Sequence, residues 1–436
     1  MKDLEAKIRA EWDPLRNVVV HRPGIEMFLG LLDPYASLYD RAFSRHEATR
    51  EHERLEYTLR HEFKLDVLRL KDSILEAADK KADVRERLVK LAHESIHFQG
   101  DKKEAELAKK ELDKNTKVLD SEHFFDISLL SPVVDLEEAK GVRAIHLHVT
   151  EREPLANLYF MRDQQAVTDK GIFLSRMSKP QRRREPELTK FLWEILDAKI
   201  AHATQEPGNF EGGDFIPMKD FALMGIGDRT NRSGVEQMLK SGQGFDEVGV
   251  VHQPNHPLIP GDERDPMIDM HLDTYFNVAS SRVVVGSDVL LKRAKVEIYQ
   301  REAPGVYKRE NRETNLHDFI KEKGFDIINI TTLEQMSYAS NFLCIKDGTI
   351  LAVEVDRIVK KTLENLASEA KADPERYGKL LDQAKKDYQS LKSEGQFFPH
   401  KKEIYQHDID AYPINLENLT GGYGGAHCMT CALKRG

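Results

Sequence analysis

Short β-branched runs alternate with longer helix-patterned stretches along the chain, and this alternation constrains the fold more than any single motif. The run Asn17-Val18-Val19-Val20-His21 ends at Arg22-Pro23-Gly24 and reads as a buried strand closed by a turn. A helical pattern over 45–63 and a second run at 66–70 give a β–α–β start. Comparable runs return at 171–174, 221–226, 282–286, 325–330 and 349–353 with helices between them, so the main body is predicted to be α/β.

Two stretches depart from that rhythm. Over 72–144 the composition shifts to Lys, Glu, Ala and Leu, as in Lys102-Lys103-Glu104-Ala105-Glu106-Leu107, with almost no Gly or Pro. The expectation is an inserted all-helical domain at 72–144, leaving 1–71 and 145–436 as the catalytic body. A second charged helical stretch from 356 to about 400 reads as a further insertion, with Pro374 opening a new helix after Asp373. At 436 residues the chain exceeds what one hydrophobic core usually supports, which agrees with a large domain carrying insertions. No repeat of fixed period and no low-complexity tract is visible.

Charge and apolar content narrow the function. A formal net charge of −9 argues against binding nucleic acid by phosphate neutralisation and suits a cationic small molecule. The sequence has no run approaching the ~20 apolar residues of a membrane span, and Met1-Lys2-Asp3-Leu4-Glu5 opens without an apolar leader, so no membrane association and a cytoplasmic location are expected. Three cysteines cannot all pair with one another, and a reducing compartment would leave Cys428 a free thiol.

Cys428 follows the glycine-rich segment Gly421-Gly422-Tyr423-Gly424-Gly425-Ala426-His427, a backbone suited to holding a thiol against a ligand. Its candidate partners lie upstream in three polar clusters: Asn157-Leu158-Tyr159-Phe160-Met161-Arg162-Asp163, Glu211-Gly212-Gly213-Asp214 and His271-Leu272-Asp273-Thr274. Strand periodicity would put His271 and Asp273 on one face, and Asn157, Tyr159, Met161 and Asp163 on another. The glycines after Glu211 point to a turn that a Cβ would prevent. Each segment alone has a plainer reading: a polar sheet edge, an ordinary acidic loop, or, for Arg182-Arg183-Arg184-Glu185, a solvated charged face. Cys428-Met429-Thr430-Cys431 also has C-x-x-C spacing, but Cys344 stands alone and no second ligand pair accompanies it, so neither a zinc site nor a redox dithiol is expected. One thiol, one imidazole and three acids from distant segments are the groups needed for nucleophilic catalysis on a cationic substrate.

Together these segments resemble the arginine deiminase family of the guanidino-group-modifying superfamily. The resemblance rests on Val18-Val19-Val20-His21-Arg22-Pro23-Gly24, residues 157–163, Arg182-Arg183-Arg184-Glu185, Glu211-Gly212-Gly213-Asp214, Asp228-Arg229-Thr230, His271-Leu272-Asp273-Thr274 and His427-Cys428-Met429-Thr430, in that order along nearly the whole chain. It implies a five-bladed α/β propeller, the pentein fold, with a helical domain inserted after the first blade. It also implies roles. Cys428 would attack the guanidinium carbon, Asp163 and Asp273 would grip the guanidinium nitrogens, and Glu211 and His271 would move protons. Asn157, Arg182 and Arg229 would hold the substrate's carboxylate end, Phe160 would line the pocket, and Asp214 would belong to the substrate-binding set. No metal or organic cofactor is implied. The expected substrate is L-arginine, converted to L-citrulline and ammonia. Amidino transfer, or hydrolysis of agmatine or a methylated arginine, is the alternative within the fold, and a non-catalytic arginine sensor is the alternative outside it. Oligomeric state is left open, a homo-oligomer included. In the family an arginine commonly gates the site at the position of Tyr423, and the 356–400 stretch is longer than the family leads one to expect.

Overall fold

The computed structural model describes residues 5–138, 145–261 and 265–436. Val18, Val19 and Val20 are fully buried in the strand Leu15–Val20. That strand runs parallel to Asp66–Arg69, with Val18 opposite Val67, and antiparallel to Cys431–Arg435, with Val19 opposite Cys431. A strand covered on both faces needs a continuous apolar run rather than an alternating one, which is what the sequence supplies. Between the two parallel strands lies the helix Arg45–Tyr57, whose cap Ser44 accepts a hydrogen bond from the Glu47 N–H at 3.3 Å, followed by a single π turn, Thr58–Glu62.

The same three-strand pattern, an antiparallel pair followed by a parallel third strand after a helical crossover, recurs along the chain. Gln165–Thr168 and Gly171–Leu174 pair with Ile200–Ala203. Phe215–Met218 and Phe221–Ile226 pair with Glu247–His252, in a sheet that Lys295–Ala303 and Val306–Arg309 extend. Phe276–Val278 and Val283–Gly286 pair with Asp326–Asn329. Leu343–Lys346 and Thr349–Val353 pair with Asp410–Ile414. The expected strand runs at 17–21, 66–70, 171–174, 221–226, 282–286, 325–330 and 349–353 all fold as strands, to within one or two residues at their ends. In the first sheet the antiparallel partner comes from the far end of the chain, so Cys428 is delivered to the edge where Val20 passes into His21.

The 72–144 stretch is not all-helical. The helices Leu70–Lys80, Ala82–Ser95, Lys102–Asn115 and Ser121–Leu130 are there, and Lys102–Asn115 has no buried residue, as its Lys/Glu composition implies. Within the stretch, however, His97–Gln99 and Pro132–Glu138 are strands of a three-stranded sheet completed by Ile145–Arg152. The β-branched Val133 and Val134 open the central strand, and Val134 lies opposite Val149. The expected boundary at 144/145 therefore falls inside a hairpin; residues 139–144 and 1–4 lie outside the described residues.

The second charged stretch folds as expected into a helical hairpin, Val355–Ala372 and Pro374–Glu394. Asp373 caps the second helix by accepting from the Arg376 N–H at 3.0 Å, and Gly395 ends it at φ +64°. Leu366, Leu380, Ala384 and Leu391 form its buried stripe, so the hairpin packs down onto the body while filling the crossover between Thr349–Val353 and Asp410–Ile414. No helix among the described residues is long and apolar enough to cross a membrane.

Candidate active site

The glycine-rich segment before Cys428 is a close approach of backbone to side chains. A Cβ on Gly424 would lie 2.5 Å from the Phe160 ring and 2.9 Å from Cys428 Cβ, and one on Gly425 would lie 2.7 Å from the Asn341 carbonyl oxygen. The left-handed position in this segment is taken by Tyr423, at φ +71°, not by a glycine. Asn341 ties the segment to the thiol. Its Oδ1 accepts from the Gly425 N–H at 2.8 Å and the Cys428 N–H at 3.1 Å, while its Nδ2 donates to Cys428 Sγ at 3.1 Å and to the Asp273 carbonyl at 3.3 Å.

Cys428 is buried, and its thiol faces Asp273 Oδ2 at 3.4 Å. That oxygen also accepts from His427 Nδ1 at 2.8 Å. Behind His427 lies Glu11, held by Arg162 at 3.2 Å and Arg435 at 2.8 Å. Burial pushes the Cys428 thiol well above the usual thiol range, and the carboxylates of Asp273 and Asp163 add to the effect. Burial works against ionisation of Asp273 too, but the hydrogen bond and charge of His427 outweigh it and hold this carboxyl below its usual range.

A second cluster faces the thiol. His271 Nε2 meets Glu211 Oε2 at 2.9 Å, and Nδ1 lies 3.7 Å from Asp163 Oδ1. Burial alone would lower the imidazole pKa, but the charge of Asp163 and the bond to Glu211 push it up to about 9. Glu211 is correspondingly held below the usual carboxylate range despite its burial, and its other oxygen accepts from the Ser178 N–H at 2.9 Å. The glycines after Glu211 are needed for space: a Cβ on Gly212 would lie 2.2 Å from two carbonyl oxygens, and one on Gly213 would lie 2.8 Å from His271 Nδ1.

Neither flanking segment is the strand expected from its spacing. Leu272–Thr274 is a 3₁₀ turn, pinned by the His271 N–H donating to Thr274 Oγ1 at 3.1 Å. Residues 156–164 form successive turns, with the Phe160 N–H bonded to the Asn157 carbonyl at 3.0 Å. In a turn, positions three apart share a face. Asn157, Phe160 and Asp163 accordingly reach one cleft, whereas Tyr159 and Met161 are buried in the core.

That narrow cleft is lined by Asn157, Phe160, Asp163, Arg182, Arg229, His271 and Cys428, with Leu38, Met270, Thr274, Gly422 and Tyr423 completing the wall. The structure thus gathers seven of the ten expected residues at its surface. Glu211 and Asp273 stand directly behind His271 and Cys428. Asp214 is elsewhere. Its Oδ1 accepts from the Leu272 N–H at 3.0 Å and from Gln253 at 3.1 Å, so it braces the 272–274 turn, and burial pushes its carboxyl up to about 6.

The two arginines are not equivalent. Arg182 spends its Nε and Nη2 on Glu185, at 2.8 to 3.1 Å, and its Nη1 on Asp163 at 2.7 Å. Arg229 is as deeply buried, yet its Nε and Nη1 have no hydrogen-bond partner, the nearest acids being Asp228 at 3.3 Å and Glu211 at 4.0 Å in poor alignment. Two more atoms in the site are buried without a partner: Asp163 Oδ1 and Asp273 Oδ1. Unpaired buried polar atoms are costly, and such a set is what a bound, oppositely charged ligand would satisfy. Asp163, Glu211 and His271 bring ligand atoms within 4.8 Å of one another, spacing that could suit a metal ion, but Arg182 and a protonated His271 already supply this cluster's positive charge.

A family model for arginine deiminase matches residues 36–435. The chain belongs to the arginine deiminase family. Arginine deiminase of Halobacterium salinarum is 26% identical over 98% of this chain and 96% of that protein. The enzyme of Streptococcus pneumoniae strain P1031 is 25% identical, covering 82% of this chain and 90% of its own length. Solved structures share the mixed α/β pentein fold at lower identity. The N-terminal domain of a cyanobacterial arginine dihydrolase, bound to product, superposes with a TM-score of 0.50 at 12% identity over 97% of this chain and 98% of that one. An amidinotransferase from Microseira wollei in saxitoxin biosynthesis gives 0.50 at 11% identity over 99% and 97%.

For an arginine deiminase family chain, the residues that sequence reading missed are those acting through others. Asn341 has no motif around it, His427 was visible only as a neighbour of Cys428, and Glu11 and Arg162 reach the site through His427. The commitment of Arg182 to Glu185 did leave a signal, since Arg and Glu three apart on a helical turn are natural partners.

Proposed function

We propose that the chain hydrolyses L-arginine to L-citrulline and ammonia through a covalent intermediate on Cys428. The observation that carries this reading is the pair of unpartnered carboxylate oxygens, Asp163 Oδ1 and Asp273 Oδ1, next to a buried thiol. A planar guanidinium set between those carboxylates would satisfy both and present its carbon to Cys428 Sγ. Its charge would also offset the two carboxylates that oppose thiolate formation, so the nucleophile would ionise when substrate is bound rather than before. At the other end, the unpartnered donors of Arg229 suit the substrate carboxylate, with Asn157 beside it and Phe160 along the alkyl chain.

On this reading the steps run in a fixed order. The thiolate adds to the guanidinium carbon; a carbon–nitrogen bond then breaks, with His271 protonating the leaving nitrogen as ammonia departs. The neutral imidazole, oriented by Glu211, takes a proton from water as its oxygen attacks the S-alkylthiouronium, and the carbon–sulfur bond breaks to release citrulline and regenerate the thiol. Asn341, donating to Sγ, would stabilise the sulfur anion in both steps. The same reading takes the five sheets with the recurring strand pattern as the five blades of a propeller, with the helices and small sheet of about 72–152 as its inserted domain. Three unpaired cysteines support a cytoplasmic setting.

The test is incubation with arginine, agmatine and methylated arginines, assayed for ammonia and for the ureido product. Arginine should be strongly preferred. Equal turnover of agmatine would replace this reading with a broader guanidine hydrolase, and no turnover of any of them would leave a binding protein.

A further inference from the structure

Two side chains of the helical hairpin reach the opposing rims of the cleft. Asn365 Nδ2 donates to Asp40 Oδ1 at 2.6 Å, and the Tyr377 hydroxyl donates to Asp265 Oδ2 at 2.7 Å. Asp40 is buried and follows Leu38 of the cleft wall at a distance of two residues; its backbone N–H donates to the Gly421 carbonyl at 2.7 Å, tying this rim to the glycine segment. Asp265 is buried as well. It caps the helix Pro266–Asp269, accepting from the Met267 N–H at 3.0 Å, and that helix leads directly into Met270 and His271 of the opposite wall. Between the rims stands Tyr423, which lines the cleft and packs on the same apolar cluster as Leu363, Tyr377 and Leu381 of the hairpin.

We propose that the hairpin is a clamp on the cleft, in which Asn365 and Tyr377 are positioning residues that hold the two rims against Tyr423 and keep the opening narrow enough to select slender guanidines over those carrying bulk, such as peptidyl or N-acylated arginine. The inference rests on the cleft being the guanidine site. A third acid, Glu369, lies near Asp40 and Asp265. Burial and those two neighbours push its carboxyl up to about 8, so at neutral pH it adds no charge that would drive the rims apart. In this chain the hairpin therefore does from outside the cleft what a gating side chain at position 423 would do from within.

The experiment compares the intact enzyme with Tyr377→Phe and Asn365→Ala. Each variant removes one hydrogen bond to a buried carboxylate, enough to shift a local open–closed balance by roughly tenfold. Alkylation of Cys428 by a bulky maleimide should accelerate by about that factor, alkylation by iodoacetamide should accelerate less, KM for arginine should rise while kcat stays close to its value, and the preference for arginine over an N-acylated arginine should narrow. Unchanged maleimide rates in both variants would overturn the clamp, as would a parallel loss of kcat and thermal stability with no change in the ratio of the two alkylation rates. The alkylation ratio needs no turnover, so failure of the clamp is distinguishable from failure of the arginine reading, which the substrate comparison on unaltered enzyme tests.

Discussion

Replacing Arg229 with alanine separates substrate-carboxylate recognition from everything else in the cleft. In the free protein this guanidinium is buried, 2% exposed, with two donor nitrogens lacking hydrogen-bond partners. Its Nε and Nη1 give up no hydrogen bond in the free protein, although its charge faces Asp228 and helps hold Glu211 ionised, so the larger loss falls on the bound state. Truncating one partner of a buried, hydrogen-bonded charge pair typically costs about 2–5 kcal/mol. At about 1.4 kcal/mol per decade that is a fall in kcat/KM for arginine of roughly 30-fold to a few thousand-fold. Agmatine has no carboxylate, so its kcat/KM should change little, and the advantage of arginine over agmatine should shrink by nearly the whole factor. Arg182→Ala should behave differently. It breaks a buried network with Glu185 and Asp163, typically worth about 3–5 kcal/mol, and should depress both substrates and thermal stability together. Steady-state kinetics on the two substrates with a melting curve for each variant decide the matter. Equal losses on arginine and agmatine in Arg229→Ala, or a spared agmatine activity in Arg182→Ala, would refute the division of labour.

Cys428→Ala should abolish turnover while Cys431→Ala retains most of it, because burial pushes the Cys431 thiol up to about 12 and its strand points it into the core; equal loss in an activity assay would call for a dithiol mechanism. Asn341→Ala should lower kcat by ~10²-fold, as loss of a donor to a developing anion does, and move the pH profile of Cys428 alkylation upward. A profile identical to that of the intact enzyme would reduce Asn341 to a structural part. Glu211→Gln should lower the His271 pKa from about 9, an outcome read from its imidazole NMR signals. Because the folded pKa lies above the ordinary value of ~6.5, His271 contributes stability that is full below that pH and is lost as pH rises through about 9. The intact protein should therefore lose more stability than Glu211→Gln between those limits, and parallel melting profiles would contradict the assignment.

The sheet strands were legible because buried parallel strands demand unbroken apolar runs, and Val18–Val20 or Val283–Val285 allow no other reading in a chain of this kind. The site segments were legible in composition and misleading in shape. Asn157 through Asp163 alternates enough to suggest a strand, yet the chain there turns, and the face it presents to the cleft is 157, 160 and 163 in place of 157, 159, 161 and 163. His271 and Asp273 do both serve the thiol's surroundings, although from two sides of a 3₁₀ turn rather than one face of a strand. In the 72–144 stretch the Lys/Glu composition hid short strands, among them His97–Gln99, whose partner lies more than thirty residues on, a pairing no local window can register.

Charge partnership is the part that only the assembled fold decides. Arg182 and Arg229 look alike in sequence, each an arginine within three residues of an acid, and a carboxylate-binding role could be assigned to either. The fold gives Arg182 two carboxylates before any substrate arrives and leaves Arg229 with acids that are near but misaligned. Asp214 differs from Asp163 and Asp273 in position: its Oδ1 is taken up by the Leu272 N–H and Gln253 behind the 272–274 turn, whereas Asp163 lines the cleft and Asp273 backs the thiol, each with its Oδ1 lacking a hydrogen-bond partner. Arg182, Glu185 and Asp214 thus serve to build the cleft, while Asp163, Asp273 and Arg229 hold buried atoms that a bound ligand would satisfy. On the reading proposed above, the residues in the second group would match a ligand that joins a cation for the two carboxylates at the thiol to an anion for Arg229.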